Sequence, residues 1–164
     1  MAVVDQNPYL ERDTTAALLA ACRAAFQCPT DPSLVMAEAW LPRIQRARQQ
    51  LRAPEADASW MEAAGVLALM SGEPGRSLEP LQAASAAWDK LGRPYDAARA
   101  MLDLGQALAA SGQAAQAAAC LDRVLGTLER LAEELSDEPS RAAFLQSQMV
   151  EQARRVRAGL PAAG

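Results

Sequence analysis

The sequence contains no histidine. That absence removes the side chain most often used for general acid–base catalysis and for binding metals. Cysteine is scarce as well, limited to Cys22, Cys28 and Cys120. Cys22 and Cys28 stand six residues apart, neither a CxxC spacing nor one face of a helix, so no tetrahedral zinc set can be assembled. An odd, sparse set of thiols suits small buried side chains in a reducing compartment. No Gly-x-Ser-x-Gly elbow and no Gly-Lys-Ser/Thr phosphate loop is present. The carboxylates are scattered, and Asp137 and Glu138 fit the ordinary role of acids at a helix start. The expectation is a protein that is not an enzyme and needs no metal or cofactor.

Other absences narrow the class further. Aromatics make up 4% of the chain, and no stretch alternates apolar and polar residues over the length of a strand. A single lysine, Lys90, stands against fifteen arginines, and the net charge is -4. An acidic balance is a poor footprint for nucleic-acid binding. The local clusters Arg43, Arg46, Arg48, Arg52 and Arg154, Arg155, Arg157 read as solvated helix faces and favourable C-terminal turns, with an acidic partner docking there as the alternative. The longest apolar run, Ala63 to Met70, falls far short of a membrane span. The first residues lack the basic and apolar regions of a signal peptide. These features predict a soluble, cytoplasmic protein with no nucleic-acid or membrane partner.

What remains is alanine, leucine, glutamate, arginine and glutamine. Apolar residues reach 51%, enough for a core. Alanine is the best helix former and lets helices approach closely. The chain therefore reads as all-α.

A repeat is visible at an offset of 40 residues. Met61 aligns with Met101, Gly65 with Gly105, and Ser71-Gly72 with Ser111-Gly112. Leu81 aligns with Leu121, Ala84 with Val124, Trp88 with Leu128, and Leu91 with Leu131. Each unit reads as helix, turn, helix. Pro54 and Pro94 open first helices, because proline's missing N–H is unpaired there anyway. Gly72 and Gly112 close those helices. Return helices follow over about 75–91 and 114–134, with Pro80 predicting a kink or a later start in the former. Gly65 and Gly105 fall inside helices, where glycine costs roughly 1 kcal/mol relative to alanine. The same cost at the same repeat position predicts that a neighbouring helix crosses too closely for a Cβ.

The expected organisation is about seven helices in antiparallel pairs, forming an α-solenoid. A tail covers 1–12 and a single helical-repeat domain covers 13–158. Within it lie a degenerate repeat at 13–52, clear repeats at 54–92 and 94–134, and a capping helix at 136–158 with Ser136 as its cap. A second tail covers 159–164.

Met101, Leu104, Gly105 and Leu108, followed by Ala117, Leu121 and Val124, resemble the tetratricopeptide repeat (TPR) signature. Gly65, Leu81 and Ala84 repeat it more loosely, with Met61 in the family's Trp place. The units are longer than is usual for that family, and its closing Pro is missing from the usual position. The run from Trp88 to Ala100, WDKLGRPYDAARA, resembles repeats of large bacterial ATP-dependent regulators and of cyclase-linked signalling proteins. The segment Ala132 to Leu145 resembles the closing helix of such arrays.

The resemblance implies a scaffold that binds a protein or peptide partner on the concave face lined by the first helices. By the same resemblance, the groove-facing places fall on Ser59, Glu62, Val66, Leu69, Met70, Arg99, Leu102, Asp103 and Gln106. Helical arrays of regulators also include arms that sense a small inducer. The exposed end faces of a short solenoid admit a homodimer. Trp40, Trp60 and Trp88 read first as packing residues, with Trp60 an interface candidate if exposed.

Overall fold

The computed structural model describes residues 54–161 and, ahead of them, Pro42, Gln45, Arg46 and Gln49. The expected helices at about 13–27 and 32–51, with Trp40, Cys22 and Cys28, lie outside the described residues. Within 54–161 the chain is all-helical. We number the helices α1 (Pro54–Met70), α2 (Pro74–Lys90), α3 (Pro94–Ala110), α4 (Ala114–Glu133), α5 (Glu138–Leu145) and α6 (Gln148–Ala158).

The first four helices are joined by three turns of one design. Gly72, Gly92 and Gly112 have φ of 74°, 67° and 76°. This left-handed conformation carries no Cβ penalty only for glycine. In each turn the residue after the glycine donates its N–H five residues back: Glu73 to the Ala68 carbonyl, Arg93 to that of Trp88, and Gln113 to that of Leu108. The glycines themselves donate to Leu69, Asp89 and Ala109. These paired bonds satisfy carbonyls that a helix end leaves open. Helices α1, α2 and α3 each run 17 residues and restart at a proline. The 40-residue unit is thus two similar halves of 20 residues, a finer period than the sequence alignment exposed. Pro80 neither delays nor breaks α2, which is helical from Pro74 to Lys90.

Turns this short make consecutive helices antiparallel neighbours. Along this meander α1 packs on α2, α2 on α3, and α3 on α4; α1 also reaches α3, whereas the backbones of α2 and α4 stay apart. The helix-pair arrangement of the expectation is therefore present. The two helix-interior glycines mark where paired helices touch. A Cβ on Gly65 would stand 2.5 Å from Leu81 Cγ, and one on Gly105 would stand 2.9 Å from Leu121 Cδ2. Both leucines are fully buried. The close crossing expected from the repeated glycine is present in both pairs.

The array ends differently from the expectation of one capping helix. The segment 136–158 is broken at Gln146-Ser147, where Ser147 is extended with φ -64° and ψ 152°. Asp137, rather than Ser136, caps α5: its Oδ1 accepts the Ser140 N–H at 2.8 Å. The break lets two short helices take different supports. Phe144 of α5 meets the Tyr95 ring at the start of α3, with ring centroids 6.1 Å apart. Val150 and Ala153 of α6 bury themselves among Ala98, Leu102, Leu121, Val124 and Leu128. The outer side of α6 carries exposed Glu151, Arg154 and Arg155, which suits the wet face of a terminal cap.

Candidate functional site

The nine residues that the resemblance places on a binding face fall into two junctions instead of one open surface. Glu62 is fully buried, and Ser59, Val66, Leu102 and Asp103 are buried as well. Leu69 and Met70 are half-buried against a cluster of Val66, Leu67, Leu81 and Ala107. Arg99 is mostly covered. Gln106 accepts, at Oε1, a hydrogen bond of 3.3 Å from Gln152 of α6 and donates to Asp103 at 3.4 Å.

Glu62 and Arg99 do come together, but with each other. Arg99 Nε donates to Glu62 Oε1 and Arg99 Nη2 to Oε2, both at 3.0 Å. Trp88 Nε1 donates to Oε2 at 2.9 Å. Arg99 also pairs with Asp96, and Arg93 binds the same carboxylate at 3.0 Å. The Arg93 guanidinium in turn lies 5.8 Å from the centre of the Trp88 ring, within cation–π range. Five side chains from α1, α2, α3 and the α2–α3 turn therefore form a closed ring. Burial opposes the charge on Arg99, yet the hydrogen bonds and charges of Glu62, followed by Asp96, outweigh it and raise its pKa.

Forty residues on, Glu62 and Trp88 are replaced by Leu102 and Leu128, which pack together with Val150. At these repeat positions one junction is polar and paired, whereas the next is apolar. A buried carboxylate with a fork of Arg N–H donors is a way of fixing how two helix pairs meet. Glu62 and Arg99 therefore form part of the frame that holds the array. Trp88 is a packing residue, as its repeat position indicates. Trp60 is half-buried.

Among the described residues an open concavity lies elsewhere, between α2 and α4. Because those helices stay apart, α3 forms the floor of a half-open groove of about 610 Å³. A second volume of about 370 Å³ continues it towards Leu78 and Gln116, sharing Gln82, Leu104, Cys120 and Arg123. The floor carries small and flexible apolar side chains, among them Ala97, Ala98, Met101 and Leu104. The α2 wall presents Gln82, Ala86 and Asp89, and the α4 wall presents Arg123, Thr127 and Arg130. Gly126 also lines the α4 wall, and a Cβ there would meet only open space. Cys120 lies at the foot of that wall, its Sγ donating to the Met101 carbonyl at 3.3 Å. Burial pushes its thiol pKa up to about 11, against the opposing charge of Arg123.

Sequence reasoning did not single out this groove, because phasing by the family signature puts the groove-facing places on the opposite side of α3. A signal was present in the repeat itself. Ala86 and Gly126 occupy the same repeat position, and both are small and exposed on facing walls.

Among the described residues no group of three or more His, Cys, Asp or Glu could hold a metal ion, and no helix is long and apolar enough to cross a membrane. Comparisons of the chain with family models, with curated proteins and with solved structures find no match.

Proposed function

We infer that the chain is a non-catalytic interaction module, a TPR-like array that holds a segment of a partner protein. The groove between α2 and α4 is its binding surface. The observation that carries this reading is the groove itself: half-open, apolar along its floor, and polar along both walls. Extended or helical segments dock in such grooves through an apolar stripe flanked by polar contacts. The resemblance to arrays of bacterial regulators supports a role in signalling or regulation in the cytoplasm, either alone or as one arm of a larger machine.

A photo-crosslinking residue at Thr127 in the groove, with another at Arg154 on the outer face of α6 as control, tests this reading in cells. The expected result is a discrete adduct from position 127 that Gly126→Trp abolishes and position 154 does not form. Equal adducts from both positions, or adducts indifferent to Gly126→Trp, would remove the groove from consideration.

The volume of the groove also lies within the range of small-molecule sites, which favours an inducer as the second reading. A ligand of that kind stabilises the fold by mass action. It would raise the melting temperature of the wild type and leave that of Gly126→Trp unchanged.

A further inference from the structure

We propose that the segment held in the α2–α4 groove is an acidic amphipathic helix, anchored by its carboxylates to Arg123 and Arg130. This proposal rests on the reading of the groove as a partner-binding surface and names the chemistry of the partner.

The argument begins with the two arginines. Arg123 and Arg130 both line the groove on α4 and are both exposed. Neither forms an ion pair with any described residue. The other arginines of the two repeats are engaged: Arg76 pairs with Glu73, Arg93 with Asp96, and Arg99 with Glu62 and Asp96. The groove thus keeps two cations whose charge no described residue answers, on a chain whose net charge is -4.

Their spacing selects the partner. They stand seven positions apart, two turns of α4, or about 10.5 Å at the rise of an α-helix. That spacing lies along the backbone of α4, and an occupant running beside α4 meets it in register by offering each arginine its own charge-assisted partner. Two carboxylates seven residues apart on a helix lying alongside α4 have the same separation and face the same way. Thr127, between the arginines, leaves room for polar contacts without adding charge.

The groove is also sided. Asp89 stands on the α2 wall, opposite the arginines. An occupant with acids on both flanks is repelled there, whereas one with acids on its α4 flank only is complementary to both walls. Met101 and Leu104 on the floor receive the apolar stripe between the flanks. Met101 suits this because a thioether chain adapts its shape to different apolar partners. The small Ala86 and Gly126 on facing walls add no side-chain bulk to the groove.

The test uses the full chain and a defined probe: a phage-displayed library of 14-residue helical peptides with a fixed apolar stripe and randomised flanks. The expected outcome is enrichment of Asp or Glu at two positions seven apart on one flank. Synthetic peptides from that pool, measured by fluorescence anisotropy, bind Arg123→Glu/Arg130→Glu at least tenfold more weakly than wild type. Binding weakens as salt rises, because exposed ion pairs are screened. Both side chains are exposed, so circular dichroism and melting temperature serve as controls that the variant folds.

Two results overturn the proposal and can be told apart. Selected peptides without acidic bias, indifferent to Arg123→Glu/Arg130→Glu but lost on Gly126→Trp, sink the acidic helix and leave the groove standing. Peptides indifferent to Gly126→Trp, or no selected binders at all, remove the groove reading along with it.

Discussion

Gly65 stands against Leu81 so closely that a Cβ on the glycine would lie 2.5 Å from the leucine Cγ and 3.2 Å from its backbone nitrogen. Leu81 is fully buried and cannot swing away without opening the core around Val66 and Ala107. Gly65→Ala therefore forces α1 and α2 apart and costs about 1–3 kcal/mol, the usual range for overpacking. Gly105→Ala, where the corresponding approach is 2.9 Å, costs less. Gly126→Ala does the reverse. It meets open space in a helix interior and gains up to about 1 kcal/mol from helix propensity. Urea denaturation of the three variants gives the order directly. A stable Gly65→Ala variant would show that the α1–α2 crossing is looser than the geometry states.

Arg99→Met removes the guanidinium that binds both Glu62 oxygens and leaves a carboxylate fully out of water. Breaking a buried pair from one side costs about 3–5 kcal/mol. Adding Glu62→Gln to that variant recovers part of the loss, because a neutral amide leaves no buried charge behind. A cost for Arg99→Met below about 1 kcal/mol, the value of a surface pair, would show that the ring is not a structural lock. Chemical denaturation of the single and double variants measures both quantities.

The sequence carries the architecture further than the site. Helical class, the 40-residue period and the meaning of Gly65 and Gly105 are legible because backbone requirements are local: only glycine fits a φ near 70° or a Cβ-free crossing. The face that carries the groove is not legible in the same way. Helix α1 is apolar around nearly its whole circumference, and after Pro54 it has no exposed residue. Its phase therefore cannot be read from polarity. Glu62 looks like a surface acid until Trp88 and Arg99 are brought to it from 26 and 37 residues away. One trace of the pairing is present in the repeat, since Glu62 and Trp88 both become leucine at the next junction. The break at Ser147 is likewise hard to read in advance, because it separates α5 and α6, which find their support on α3 and α4.

Asp137 makes the start of α5 sensitive to acid. The backbone N–H of Ser140 holds its carboxyl below the usual carboxylate range. The ionised form is thus favoured by folding, and its stabilisation is present above the ordinary carboxylate pKa of about 3.9. It is lost as pH falls through the lower folded-state value. Asp137→Asn keeps an oxygen that can accept the Ser140 N–H and is expected to abolish this pH dependence. Asp137→Ala loosens α5 at every pH, since alanine offers no cap. Hydrogen exchange at the Ser140 and Arg141 amides reads both effects. Equal acid sensitivity in Asp137→Asn and the wild type would show that another group controls the end of the array.

Cys120 supplies the opposite sign and reports on the groove. Its thiol titrates near 11 in the fold, against about 8.5 for an unperturbed cysteine. The protonated form is the one favoured by folding. The stabilisation from this group is whole below the unfolded pKa and declines as pH rises from about 8.5 through 11. The thiolate is the nucleophile, so alkylation of Cys120 by iodoacetamide is slow at pH 7–8 and rises with a midpoint near 11. Peptide-level mass spectrometry separates this site from Cys22 and Cys28. Because Cys120 lies at the foot of the α4 wall, an occupant of the groove slows labelling further at any fixed pH, while Gly126→Trp removes that protection. A labelling midpoint near 8.5 in the folded protein would mean that the thiol is open to water and that the groove is not the partly dry concavity its lining describes.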